Sequence, residues 1–462
     1  MPKSGFCKFV IMNIQRISEG QFRLSLFSLS ENFDAHYARF LKSNLGKIHS
    51  AIPWDALVKT FGITESSKGR NLLFSPKGRL GLMFLKNYTG LSDAKLIEQL
   101  NSNFDYQFFC DIELGFERLT NFKIVSQIRC ELSENLDIDS LEKALFASWK
   151  PYMDTTHQIV MDATCYESAI RYPTDQKLLW ESINWLHKQL KKTCKIVDTK
   201  MLRTKYLKYA KRYQGFSKMR KKTHKKRRSL TRSLLYLLHK LLGFEKKLNS
   251  YSNISFTPQY YKRIATIQKI YEQQQFHFDT GEKIKDRIVS IDKDYLRPIV
   301  RGKEIKSVEF GAKVNKIMID GISFIEHLDF NAFHEGIRLR YGVEKAQILT
   351  RKKVHVLGAD KIYATNKNRA YCTSKGIKTD FIPKGKKSKD DKEKQVLRKA
   401  ISKERSTRLE GSFGKDKAHY HLRKINARTK KNEILWIFFG IHTGNALEIG
   451  RRKAVDTAQK VA

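Results

Sequence analysis

Residues 305–330 read IKSVEFGAKVNKIMIDGISFIEHLDF, two runs rich in Val, Ile and Phe on either side of Asp320-Gly321-Ile322-Ser323. β-Branched and aromatic residues favour extended backbone, and an Asp-Gly between two such runs is a strong short-range hairpin signal. Upstream, QIVMDAT (158–164) is another short β-rich run. Downstream, YGVEKAQILTRKK (341–353) has helical spacing, VHVLGAD (354–360) is an apolar strand, and a further segment leads to KTDFIPK (378–384).

The order is strand, inserted helices, hairpin, helix, strand, helix, strand, helix. It predicts an α/β chain with helices layered on a mixed sheet, a ribonuclease H-like core. The charged stretch GKKSKDDKEKQ (385–395) reads as a loop or linker. Ahead of the core, FDAHYARFLKSNLGKI (33–48), PWDALVKTFG (53–62), PKGRLGLMFLKNYTG (76–90) and SDAKLIEQLNSN (92–103) repeat apolar residues three and four apart, with Gly, Pro, Ser and Asp at their ends. They predict a helical module for DNA reading or dimerisation. The expected organisation is a lead over 1–29, the helical domain over 30–150, the core over 151–175 and 291–450, a basic helical insertion over 176–290 and a tail over 451–462.

The 462 residues carry 89 Lys plus Arg against 47 Asp plus Glu, a formal charge of +42. Such a chain is drawn to polyanions, with salt-dependent binding, so nucleic acid is the expected partner. The most apolar stretch, ILWIFFGI (434–441), is shorter than the roughly 20 residues a spanning helix needs. The cysteines Cys7, Cys110, Cys130, Cys165, Cys194 and Cys372 show no zinc-ligand spacing, and the start MPKSGFCKFVIMN lacks a secretory pattern. Reduced thiols, core-filling cysteines and a cytoplasmic, nucleoid-associated protein are expected. The densest basic run is SKMRKKTHKKRRSLTR (217–232), where Lys218, Arg220, Lys221, Lys225, Lys226, Arg227 and Arg228 are candidate DNA contacts; a solvated basic face is the plain alternative.

Three carboxylates stand apart. Asp162 and Asp360 sit at or just past the ends of apolar runs, where a strand hands over to a loop, and Glu410 lies in RLEGSFGKDKAHYHLRK (408–424), which reads as helix. Oxygen ligands suit Mg²⁺ or Mn²⁺, and three convergent carboxylates can hold ions for phosphoryl transfer. Each also has a plain role: Asp162 as a turn residue, Asp360 as the cap of a helix beginning near Asn366, Glu410 as a surface counter-charge. Ala163 and Thr164 leave room beside Asp162. Gly414, Lys417 and His421 follow Glu410 at helical spacing, with Gly414 permitting close approach and Lys417 placed for a phosphate.

The chain resembles the DDE transposases of bacterial insertion sequences, in particular the group in which a helical N-terminal domain precedes an interrupted ribonuclease H-like core. The resemblance spans about residues 30–450. It rests on SPKGRLGLMFLKNYTGLSDAKLIEQLNSNFDYQFFCDIEL (75–114), MDATCYESAIRYPTD (161–175), RPIVRGKEIKSVEFGAKVN (297–315), GADKIYATNKNRAY (358–371) and the segment from Arg408 to Gly450. It implies that Asp162, Asp360 and Glu410 are the catalytic, metal-binding triad for two Mg²⁺ or Mn²⁺ ions, and that Lys417 is the basic residue following the glutamate. One departure stands out. The family often has Arg one turn before the glutamate and Tyr one turn earlier, where this chain has Ser406 and Lys403; Arg405 and Arg408 flank the spot.

The resemblance further implies cleavage at element ends, strand transfer of the released 3′ hydroxyl into target DNA, double-stranded DNA as partner, and a homodimer or higher oligomer pairing two ends. Arg405, Arg408 and Arg423 join Lys417 as expected backbone contacts. A transposase-derived protein that binds DNA without cutting, and a nuclease of the same fold, are the alternative functions.

Overall fold

The computed structural model describes residues 31–65, 72–115, 117–251, 255–300, 308–384 and 391–461. The N-terminal lead, Cys7, Arg301–Ser307 of the hairpin approach and residues 385–390 of the charged stretch lie outside them. From residue 391 that stretch is helical rather than a linker, because Leu397 and Ile401 lie four apart on one face, Leu397 half-buried and Ile401 buried.

The first described elements are helices α1 (Glu31–Lys42), α2 (Asn44–Ala51), α3 (Trp54–Phe61), α4 (Pro76–Thr89), α5 (Asp93–Ser102), α6 (Phe104–Phe109), α7 (Lys123–Glu134) and α8 (Ile138–Trp149). Their starts follow side-chain capping. Ser43, Ser75, Ser92, Asn103 and Asp137 each accept a hydrogen bond from a backbone N–H of the first turn. Strand β1 (Gln158–Ser168) follows, then α9 (Asp175–Ile196), α10 (Tyr206–Lys218), α11 (His224–Tyr251), α12 (Pro258–Thr280) and β2 (Pro298–Val300). The remainder runs β3 (Val308–Ile319), β4 (Ile322–Asp329), a 3₁₀ turn (Glu335–Arg338), α13 (Leu339–Thr350), β5 (Val356–Ala359), α14 (Asn366–Ser374), β6 (Lys378–Thr379), α15 (Asp391–Glu404), a π-helical turn (Arg405–Leu409), α16 (Glu410–Ala418), β7 (Lys424–Ile425) and α17 (Lys430–Val461).

Two compact units result. The first takes the described residues through Glu167, with Ala312–Asp329 and those from Phe333 onward; the second takes Ser168–Gly311 and Phe330–Ala332. In the first, β3 and β4 form the expected antiparallel hairpin, with Ile319 opposite Ile322 and left-handed Asp320 and Gly321 at the turn. β3 neighbours β1, β1 pairs parallel with β5, and β5 pairs parallel with β6, giving the curled sheet a β4-β3-β1-β5-β6 sequence. Helices pack on both faces. Gly342 of α13 lies against Met161 and Ile317, while Gly358 lies against Ile401 of α15 on the other side; a Cβ at either glycine would come within 2.7 Å of the opposing side chain.

α17 belongs to the same core. Its apolar stretch packs among α2, α4, α7 and β4, with the Phe439 ring stacked on Phe61 and edge-on to Phe84 at 4.7 Å. The side-chain amide of Asn445 pairs with both backbone groups of Ser323, extending the β4 edge. A fully buried Glu142 on α8 accepts hydrogen bonds from the Ile325 backbone N–H and contacts Lys345 and His442, so four elements share one carboxylate.

The second unit is a helical bundle with its own core, where Leu179, Ile183, Leu186 and Leu190 of α9 meet Leu234, Leu238 and Leu241 of α11 and Ile267 of α12. Within it β2 pairs antiparallel with Val308–Phe310. Cys110, Cys165, Cys194 and Cys372 are buried, and Cys130 is exposed. Among the described residues no helix is long and apolar enough to cross a membrane.

Candidate active site

The parallel pairing of β1 with β5 sets the site. Val160 lies opposite Gly358 and Met161 opposite Ala359, so the next positions in register are Asp162 and Asp360. Because side chains alternate across a strand, these aspartates share the face to which Val160 and Gly358 belong, the one covered by Ile401 and Leu409. Asp162 is not at the end of its strand: β1 continues to Ser168, since Ala163, Thr164, Cys165 and Tyr166 are all buried and extend the pairing surface. Asp162 Oδ1 accepts the Ala163 N–H at 2.8 Å. Asp360 does follow its strand, yet its side chain caps nothing; Thr365 caps α14, accepting the Asn368 N–H at 3.2 Å.

Burial pushes the Asp162 carboxyl up to about 6; the Ala163 N–H opposes the shift, the neighbouring Glu335 and Asp360 carboxylates add to it, and Arg405 offsets part of it. Two further acids therefore belong to the neighbourhood, both unforeseen in the sequence. Glu335 opens the 3₁₀ turn after the hairpin and pairs with Lys313 at 2.8 Å. Asp380, just past β6, accepts the Ala359 N–H at 3.1 Å and is raised by burial. An acid directly after a β-run, the signal used for Asp360, recurs in KTD and marks Asp380; nothing in spacing marks Glu335. Tyr363 lies beneath, fully buried, its hydroxyl donating to Asn315 at 2.5 Å, and burial with the charges of Glu335 and Asp162 holds it far above the usual phenol range.

An irregular turn leads into Glu410, and its last residue, Leu409, packs on Val160 of this face. Over Arg405–Leu409 the helix is π-wound, and the Glu410 N–H donates to the Arg405 carbonyl five residues back instead of four. The added residue moves Arg405, not Ser406, to the position one turn before Glu410. Arg405 Nη1 lies 3.9 Å from Glu410 Oε1, and its Nε lies 3.8 Å from Asp380 Oδ2. The departure from the family spacing is thus offset by local winding. Arg408 points elsewhere, pairing with Glu404 at 2.9 Å and reaching to 3.8 Å from Asp320.

Buried polar contacts moor α16 to the sheet. Lys316 Nζ on β3, fully buried, donates to Asp416 at 2.7 Å and Ser412 at 2.8 Å. The Tyr166 hydroxyl on β1 donates to the same Asp416 oxygen at 2.5 Å. Lys417 Nζ donates to Thr164 Oγ1 at 2.9 Å, two residues along the strand from Asp162. His421 does not share the Glu410 face: α16 ends at Ala418, and His421 is left-handed at φ 59°, because Tyr420 and Leu422 turn into the core. Gly414 has open space where a Cβ would lie, so no protein backbone approaches it.

In the second unit Lys218, Arg220, Lys221, Lys225, Lys226, Arg227 and Arg228 are all exposed, from the end of α10 through the connection to the first turns of α11. Arg228 stacks over Phe278 at 4.4 Å. Arg423 is exposed in the first unit, after α16.

Asp162 and Asp360 are oxygen donors of the kind that hard divalent cations prefer, and the crowding of acids that raises Asp162 is the charge such a cation would balance. The donor set fits in kind. Among the described residues no group of three His, Cys, Asp or Glu side chains stands ready around an ion, and Glu410 is turned to Arg405.

Comparison with known proteins adds independent findings. Residues 357–439, from β5 through the middle of α17, match a family described as a transposase DDE domain, a span that includes Asp360 and Glu410. Residues 34–131, from α1 into α7, match a transposase domain, DUF772. A Rhizobium meliloti protein described as "Uncharacterized protein ORF8 in nfe locus" is 27% identical over 156 residues, covering 32% of this chain and 73% of that protein. No solved structure matches.

Proposed function

We infer that this chain, which belongs to the insertion-sequence DDE transposases, cuts double-stranded DNA at element ends and joins the freed 3′ ends to target DNA, with Asp162, Asp360 and Glu410 as its catalytic carboxylates. One observation carries the assignment of residues: Asp162 and Asp360 stand in register on adjacent parallel strands, on the face covered by the turn that leads into Glu410. An antiparallel hairpin at one end of the sheet followed by parallel strands, with helices on both faces, supports a ribonuclease H-like core for the sheet-bearing unit.

The family implies dependence on a divalent metal, and Mg²⁺ or Mn²⁺ suits an all-oxygen donor set. Asp162, Asp360 and Glu410 would hold the ions, two per site, which when bound supply activation of the attacking oxygen and stabilisation of the leaving one. The protein's own share is positioning. Lys316, Asp416 and Tyr166 fix the register of α16 against β1 and β3. Arg405 orients Glu410 and Asp380. Lys417, steered by Thr164, meets a DNA phosphate as a point charge. Arg408 and Arg423 add backbone contacts, and the exposed cations from Lys218 to Arg228 give the inserted helical unit a DNA-facing surface. Two element ends to be paired favour a homodimer or larger assembly on DNA, at the nucleoid.

The test is Mg²⁺- or Mn²⁺-dependent cleavage of a supercoiled plasmid carrying the element's own ends. Breakage at the ends that disappears in Asp360→Asn supports the assignment. Tight binding to the ends without cleavage by either protein overturns it in favour of a DNA-binding role alone.

A further inference from the structure

Beside the candidate catalytic helix the first unit carries an open cavity of about 700 Å³ with a strongly cationic wall. Lys86 and Arg129 come from the N-terminal helices, Lys417 from α16, and Arg423 and Lys424 from the chain after it; the carboxylate facing them is that of Asp93. Asp93 is already satisfied, 2.7 Å from Lys86 Nζ and 2.8 Å from Arg129 Nη2. The cavity therefore keeps a surplus of positive charge. Its floor is Trp436 of α17, with Lys86 Nζ 5.5 Å and the Arg129 guanidinium 5.3 Å from the ring centroid. The indole Nε1 of Trp436 is closed to solvent, so the ring offers the cleft an apolar surface rather than a donor.

The backbone is shaped to the same space. Gly90 ends α4 at φ 64°, and a Cβ there would lie 2.3 Å from the His421 ring, so only glycine lets His421 close that side. Burial and the nearby Lys86 lower the His421 pKa, leaving a neutral ring among the cations. Lys417 joins the cavity to the candidate active site, since its ammonium also meets Thr164 on β1.

We propose that this cavity is a phosphodiester-binding site, holding the backbone of the DNA strand that runs past Lys417 to the carboxylates. Lys417, Arg423 and Lys424 meet the phosphate charge, and Lys86 with Arg129 hold the Trp436 ring from its face. The N-terminal helices and the segment after α16 together grip one strand. The assignment rests on the DNA-cutting reading above and adds to it where the strand lies.

The test uses the full-length protein and a fluorescein-labelled duplex from the DNA flanking its own gene, with dissociation constants measured across a salt series. Arg423→Ala/Lys424→Ala, both exposed and so tolerated by the fold, should flatten the slope of log affinity against log salt by about two units. The pair Lys59→Ala/Lys353→Ala, exposed in the same unit on segments that contribute no lining residue to the cavity, should change the slope less than the cavity pair. Wild-type protein that binds the duplex while Arg423→Ala/Lys424→Ala matches it in slope and affinity overturns the cavity assignment and leaves the enzyme assignment standing. Wild-type protein that neither binds nor cuts the duplex overturns both.

Discussion

The ammonium of Lys316 and the carboxylate of Asp416 meet at 2.7 Å with no solvent exposure at the lysine, and this pair ties the helix carrying Glu410 to the middle of the sheet. Tyr166 donates to the same carboxylate, so the charge has a hydrogen-bonded partner from each of two strands. Burying two charges is costly; breaking the pair strands one of them. Lys316→Met should therefore destabilise the protein by about 3–5 kcal/mol in urea unfolding, and Asp416→Asn should do so less, because an amide still accepts from Tyr166. The double variant Lys316→Met/Asp416→Leu should recover part of the lost stability without recovering DNA cleavage, which separates mooring of the helix from general stability.

Arg405 and Glu410 are five residues apart but one turn apart because the turn is π-wound. Arg405→Ala should lower DNA nicking by up to about tenfold, since each of its ion pairs, at 3.8 and 3.9 Å, is worth about 1 kcal/mol or less. Deleting the exposed Ser406 converts the turn to ordinary α-helix and leaves Arg405 one turn before Glu410, so most of the nicking should survive. An inactive deletion variant that folds normally would show that the π winding itself is required.

Asp162 offers a pH signature in the metal-free protein. Its folded pKa, about 6, is raised above the unfolded carboxylate value. The stability linked to this group is thus fully present below the unfolded value and lost as pH rises through the folded one. In chelator-treated buffer Asp162→Asn should match the parent near pH 4 and exceed it at pH 8 by about 1–3 kcal/mol, since a tenfold change in proton affinity is worth roughly 1.4 kcal/mol. Added Mn²⁺ should raise the melting temperature of the parent more than that of the variant. Equal responses to pH and to metal would remove Asp162 from the cation-binding set.

Glu142 is a structural hub, shared by α8, β4, α13 and α17. Glu142→Ala leaves the Ile325 N–H, Lys345 and His442 without their shared acceptor and should cost about 3–5 kcal/mol. Glu142→Gln keeps a neutral acceptor for Ile325 and should cost less. A thermal melt of both variants reads the difference.

Most of the element order was legible from local pattern. The Asp320-Gly321 hairpin, the apolar strand before Asp360 and the capped N-terminal helices each declare themselves within a few residues, because turn chemistry, capping and side-chain alternation are short-range effects. Some boundaries were not. Asp162 looked like a strand end because the polar residue interrupts the apolar run, although buried Tyr166 and Cys165 carry the strand on to Ser168. His421 fits the helical spacing from Glu410 on paper, yet tertiary packing of Tyr420 and Leu422 ends the helix first.

Determined by the sequence alone were the α/β pattern, the surplus of basic charge, and the three carboxylates named as candidates, since composition and local periodicity need no knowledge of distant neighbours. Tertiary structure decided which acids share a face, because parallel register brings residues 198 positions apart side by side at Asp162 and Asp360. It also brought Glu335 and Asp380 into their company, set Arg405 in place through a π turn that no spacing rule foresees, and gathered Lys86, Arg129, Lys417 and Trp436 around one cavity. Those relationships depend on packing between remote segments, and packing is a property of the folded chain rather than of any stretch within it.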